Sequence, residues 1–97
     1  MEKTIYGGED NGLFVIGNFK RFMNRFKGAR NILSSANLSS PAFYIYHIFP
    51  QNVTVKYFCW CGGSDGSSYP TEVSLYGDEK AVSEIERIVL EEAKRYE

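Results

Sequence analysis

Along the chain, apolar and polar residues change period several times, and the changes mark the elements. Thr71-Glu-Val-Ser-Leu-Tyr76 alternates with period two, which predicts a half-exposed strand. Val53 to Trp60 alternates as well. Val53, Val55, Tyr57 and Cys59 fall on one face and Thr54, Lys56, Phe58 and Trp60 on the other, and Lys56 assigns the first face to the core. Ala42 to Phe49 (AFYIYHIF) is apolar on both sides, Phe43/Ile45/His47/Phe49 against Tyr44/Tyr46/Ile48. Such a strand is expected inside a sheet with cover on both faces. Pro50, Gln51 and Asn52 separate it from the following strand as a turn, so the two runs form an antiparallel pair.

Helical spacing appears twice. From Asp78, a natural N-cap with Glu79 beside it, Ala81, Val82, Ile85, Ile88, Val89, Ala93 and Tyr96 trace one stripe and predict a C-terminal helix. Earlier, Asn18 is placed to cap a helix in which Phe19, Phe22, Met23 and Phe26 share a face. Gly28 either ends that helix or breaks it in two, since Ala29, Ile32, Leu33 and Ala36 carry the apolar stripe onward until Pro41 stops it. At the N-terminus, residues 3–6 and 13–17 read as short β-like runs around a glycine-rich loop. They form a hairpin, or a single strand at 13–17 behind a loose leader. Residues 62–68 (GGSDGSS) read as a loop. The expected fold is α+β: a two-layer sandwich over residues 1–97, one antiparallel sheet of four or five strands with two helices on one face, in the order β(β)αβββα.

Composition narrows the classes. A chain of 97 residues with 43% apolar and 24% charged residues can bury a core without staples. Its longest uninterrupted apolar run, Ala42–Tyr46, is far too short to cross a bilayer, and the N-terminus lacks the apolar centre of a secretory signal, so a cytoplasmic setting is expected. Cys59 and Cys61 fit that setting. In a strand their Cα atoms stand roughly 6.5 Å apart, the upper edge of disulfide geometry, and free thiols are expected.

Charge is the least ordinary feature. No Asp or Glu occurs between Asn11 and Ser64, while Lys20, Arg21, Arg25, Lys27, Arg30 and Lys56 do; the acids collect at the two ends of the chain. A basic helix over 18–30 carrying Lys20, Arg21, Arg25, Lys27 and Arg30 is a surface for nucleic-acid phosphates or an acidic partner. Alternatively the acidic C-terminal helix packs beside it and neutralises it within the chain. The aromatics, 15% of the chain, suggest a second surface. Tyr44, Tyr46, Phe58, Trp60 and Tyr76 are expected together on the side of the sheet away from the helices. There they would form a homodimer interface or stack unpaired bases.

Glu72 to Val89 resembles the last strand and helix of KH-type RNA-binding domains, and Arg25-Phe-Lys-Gly-Ala-Arg-Asn-Ile32 resembles their backbone-clamping loop, with Arg25 where the first glycine of that loop stands. The resemblance implies contact with single-stranded RNA through that loop. It covers about a third of the chain, which has one more strand before the final helix than that pattern.

Catalysis and metal binding have little to build on. His47, Cys59 and Cys61 are the only soft ligands, short of the four that a structural zinc site takes. An enzyme would have to pair one of the cysteines with His47. No cofactor is expected. The leading expectation is a small non-catalytic binding protein that self-associates as a homodimer through its aromatic sheet surface, or binds another protein, and acts by contacting another macromolecule. The alternative is an RNA-binding module.

Overall fold

The computed structural model describes residues 1–7, 11–37, 40–59 and 71–96. They build an α+β sandwich: strands β1 (Glu2–Gly7), β2 (Ala29–Asn37), β3 (Ser40–Ile48), β4 (Val53–Cys59) and β5 (Thr71–Tyr76), with helices α1 (Ile16–Arg25) and α2 (Glu79–Lys94). The sheet order is β1-β5-β4-β3-β2, and every neighbouring pair is antiparallel. Strands β2 to β5 therefore form a meander. The link through α1 carries the chain from one edge of the sheet to the other, and both helices lie on the same face.

Parity along the strands decides what lies under the helices. Val53, Val55, Tyr57 and Cys59 of β4 face them, as their alternation predicted, with Val73 and Leu75 of β5 and Ile5 of β1 beside them in register. From α2, Val82, Ile85, Val89 and Ala93 close over these strands, and Phe19, Phe22 and Met23 do so from α1. Burying side chains of this size stabilises the fold by roughly 1.5–3 kcal/mol each. Between β1 and α1 a single 3₁₀ turn, Gly12–Phe14, inserts Leu13 and Phe14 into the same cluster. The Tyr57 hydroxyl donates to the Phe14 carbonyl at 2.6 Å, and the Phe19 ring stacks on Tyr57 with centroids 4.8 Å apart.

The predicted boundaries change in three places. Residues 13–17 are not a strand. The Asn11 side chain accepts the Leu13 N–H at 3.0 Å and nucleates the 3₁₀ turn, which runs almost directly into α1. Asn18 lies inside α1 rather than at its cap, and its amide donates to the Gly12 carbonyl at 2.8 Å.

The largest change concerns residues 29–37, where the apolar stripe suggested more helix and the chain instead forms β2. Helix α1 stops because Phe26 is extended and Gly28 has φ +84°, with Ala29 N–H closing a turn onto the Phe26 carbonyl at 3.1 Å. Positive φ at that third turn position is what a type II turn requires and what glycine supplies. Beyond it, Asn31, Ser34, Ser35 and Asn37 are residues whose side chains compete with helical backbone bonds. The outer backbone groups of β3 would otherwise stand unpaired, and β2 satisfies them.

Candidate interaction surface

Among the described residues, no element packs on the face of the sheet opposite the helices. Its side chains follow from the registers. One row across the sheet runs Glu2, Tyr76, Thr54, His47, Arg30. The next runs Thr4, Ser74, Lys56, Ile45, Leu33, and a third holds Glu72, Phe58 and Phe43. Directly opposed residues share a face, so each row is a line of neighbouring side chains. Leu33 is 50% exposed and Phe49, at the end of β3, 60% exposed; Phe43, Ile45 and Phe58 are half-buried. Ile32 is also exposed, at the point where a register shift interrupts β2.

The face has two characters. Towards β1 and β5, Glu2, Thr4, Lys56, Phe58, Glu72, Ser74 and Tyr76 surround a shallow basin of about 340 Å³, with the Thr4 and Ser74 hydroxyls 3.3 Å apart at its floor. Towards β3 and β2 the surface is apolar, Phe43, Ile45 and Leu33. His47 and Arg30 lie beyond them. The His47 ring is fixed by a 3.0 Å hydrogen bond between Nδ1 and the Thr54 hydroxyl, and it meets the Phe49 ring edge-on at 4.8 Å.

Of the aromatics expected on this face, Phe58 and Tyr76 are there. Tyr44 and Tyr46 are on the helix side, only 6% and 3% exposed. The reason is the length of the β3–β4 connection. Ile48 pairs with Val53 across Phe49–Asn52, which brings Tyr44 opposite Tyr57 and Tyr46 opposite Val55. A shift of one residue would have reversed every side chain of β3. Asn52, with φ 54°, makes that turn possible, and its N–H closes onto the Phe49 carbonyl at 3.2 Å. Burial raises the Tyr46 hydroxyl pKa above the ordinary phenol value, with the neighbouring Tyr44 adding to the effect. Trp60 and Cys61 lie outside the described residues.

The basic set does not share one helix. Lys20, Arg21 and Arg25 belong to α1, Lys27 to the turn after it, and Arg30 to β2 on the open sheet face. Arg25 donates to Glu92 of α2 at 3.1 Å, so the acidic helix neutralises part of the basic one within the chain. Lys20 places its ammonium 5.0 Å from the centre of the Tyr44 ring. Arg21, Asn24, Arg25 and Tyr96 line a surface pocket of about 360 Å³. The segment that resembles the clamping loop of KH domains connects α1 to β2, a helix to a strand, instead of two helices.

A thiol–imidazole pair is not assembled from Cys59 and His47. Cys59 is buried on the helix face, and His47 is on the opposite face. Among the described residues no three His, Cys, Asp or Glu side chains gather as a metal site would need, and no helix is long and apolar enough to cross a membrane. What this geometry offers is a surface for contact: Phe58, Phe43, Ile45 and Leu33 form an apolar strip beside Lys56 of the central strand, with Glu2 at one edge and Arg30 at the other. No protein family, curated protein or solved structure matches the chain.

Proposed function

We propose that this chain is a small non-catalytic interaction protein, acting in the cytoplasm, that self-associates through the open face of its sheet. The observation that carries the reading is the strip formed by Leu33, Ile45, Phe43 and Phe58, continued by Phe49 and flanked by Ile32, on a face that no described element covers. Large apolar patches rarely stay open on monomeric proteins, and aromatic residues are enriched where chains meet. Sedimentation of the wild type against Ile45→Asp and Phe58→Ala tests it. The wild type should show a concentration-dependent dimer, and both variants should stay monomeric with unchanged far-UV circular dichroism. Wild type that remains monomeric to about 1 mM, some thousandfold above the micromolar range of ordinary weak association, would sink the proposal. An oligonucleotide held at about 50 mM salt and released at about 200 mM would favour the RNA-contacting alternative through Lys20 and Arg21 instead.

A further inference from the structure

We infer that the pocket between α1 and the end of α2 binds the terminal phosphate of a small phosphomonoester, held by the guanidinium groups of Arg21 and Arg25. The pocket lies on the helix side of the sheet, so the inference goes beyond the self-association proposed above.

No acid occurs between Asn11 and Ser64, yet the cations of that stretch do not form one continuous track. Lys20 is turned to the Tyr44 ring, Lys27 lies in the turn after α1, and Arg30 stands on the open sheet face. Arg21 and Arg25 are the two that converge. With Asn24 they take positions three and four apart on α1, which share one face of a helix. Tyr96, just past α2, completes the lining of a pocket of about 360 Å³.

The donors in this pocket are unused. Among the described residues Arg21 has no ion pair, and neither the Asn24 amide nor the Tyr96 hydroxyl has a hydrogen-bond partner. Arg25 gives Nη2 to Glu92 at 3.1 Å and keeps its other nitrogens. The Glu92 side chain is only 14% exposed, and its second oxygen stands 3.7 Å from Arg95. This carboxylate therefore fixes Arg25 in place while two guanidinium groups already meet it. One carboxylate among Arg21, Arg25 and Arg95 leaves positive charge in excess around the pocket. The Asn11 amide donates to the Ala93 carbonyl at 2.8 Å and so covers part of the negative end of α2.

Two guanidinium forks with neutral donors beside them suit one ligand chemistry. A guanidinium pairs bidentately with phosphate oxygens. A terminal phosphate offers three acceptor oxygens and close to two negative charges at neutral pH. A carboxylate offers two oxygens and a single charge. A phosphodiester within a strand likewise carries one charge, and a strand needs further cations along its length, which α1 does not line up. The volume lies near the lower end of small-ligand sites, about 300–1,000 Å³, enough for a phosphate that carries one ring beside Tyr96.

Phenyl phosphate is the probe, titrated into isotope-labelled protein at neutral pH and about 50 mM salt, where exposed charges are weakly screened. The Asn24 amide and the Nε–H signals of Arg21 and Arg25 should shift together and saturate. Dimethyl phosphate and acetate, each with a single charge, should bind at least tenfold more weakly. Arg21→Gln breaks no pair in the fold and should weaken phenyl phosphate at least tenfold; Asn24→Asp, also at an exposed position, should abolish binding. No saturation up to about 10 mM, a tenfold margin on a millimolar site, would overturn the inference. So would an Arg21→Gln chain that binds as tightly as wild type. Inorganic phosphate bound as tightly as the ester would overturn the assignment to an ester. A short oligonucleotide without a terminal phosphate that outcompetes phenyl phosphate would overturn it in favour of the RNA-contacting alternative.

Discussion

Gly28 is the position where one added methyl group should do the most damage to the open sheet face, because it turns the chain from α1 into β2 and so sets the parity of Arg30. Its φ of +84° lies in the left-handed region, where a side chain costs about 1–2 kcal/mol. A Cβ built there would stand 2.5 and 2.7 Å from Cδ and Cγ of Pro50, closer than such atoms ever approach. The Pro50 ring cannot rotate away, and overpacking of this kind costs roughly 1–3 kcal/mol. Against this, alanine lowers the entropy of the unfolded chain and returns about 0.4–1 kcal/mol. Gly28→Ala should therefore destabilise by about 3 kcal/mol, which in a domain of this length lowers Tm by roughly 12–24 °C. Urea unfolding and calorimetry measure both quantities. The two sources of the loss separate in a double-mutant cycle. In a Pro50→Ala background the ring is gone, and Gly28→Ala should cost only about 1 kcal/mol, the left-handed part. Equal costs in the two backgrounds, or a cost below about 0.5 kcal/mol in the wild type, within the ordinary range of surface substitutions, would refute the reasoning.

Two further perturbations have clear expected outcomes. The Asp78 carboxylate accepts the Lys80 N–H at 3.2 Å and caps α2, so Asp78→Ala should cost about 1 kcal/mol and Asp78→Ser much less, read by urea midpoint at unchanged m-value. Tyr46 should make the fold sensitive to alkali. Its folded pKa lies above the ordinary value of 10.0, so the folded state holds the phenol proton more tightly than the unfolded chain does. The stabilisation is complete below about pH 10 and is lost as the pH rises through the folded pKa. Tyr46→Phe should flatten the alkaline fall of Tm, and an identical fall in the variant would remove Tyr46 as its cause.

Much of this architecture could be read from residues close together in the chain. Helix α2 was legible from its Asp78 cap to within two residues of its end at Lys94, because a capping Asp78 and apolar positions at helical spacing are local signals that tertiary packing had no reason to override. The inward parity of β4 and β5 followed from single decisive residues, Lys56 in one strand and Glu72 and Ser74 in the other. Gly28 announced a break, and the acidic helix beside the basic one announced the Arg25–Glu92 pair.

What the sequence alone determined, then, was the class of fold, the end of the chain, and the presence of an unusual charge separation. Each of these is carried by periodicity or composition within a short window. The tertiary structure decided the rest. The apolar residues of 29–37 line up at helical spacing and are split between the two faces of a strand, and only the open edge of β3, which needs backbone partners, makes the segment β2. The parity of Tyr44 and Tyr46 depends on which residue across a four-residue turn pairs with which, a register that neither strand encodes by itself. For the same reason, the line of side chains from Glu2 through Tyr76, Thr54 and His47 to Arg30 exists only once β1 and β2, neighbours of α1 in the chain, are carried to opposite edges of one sheet.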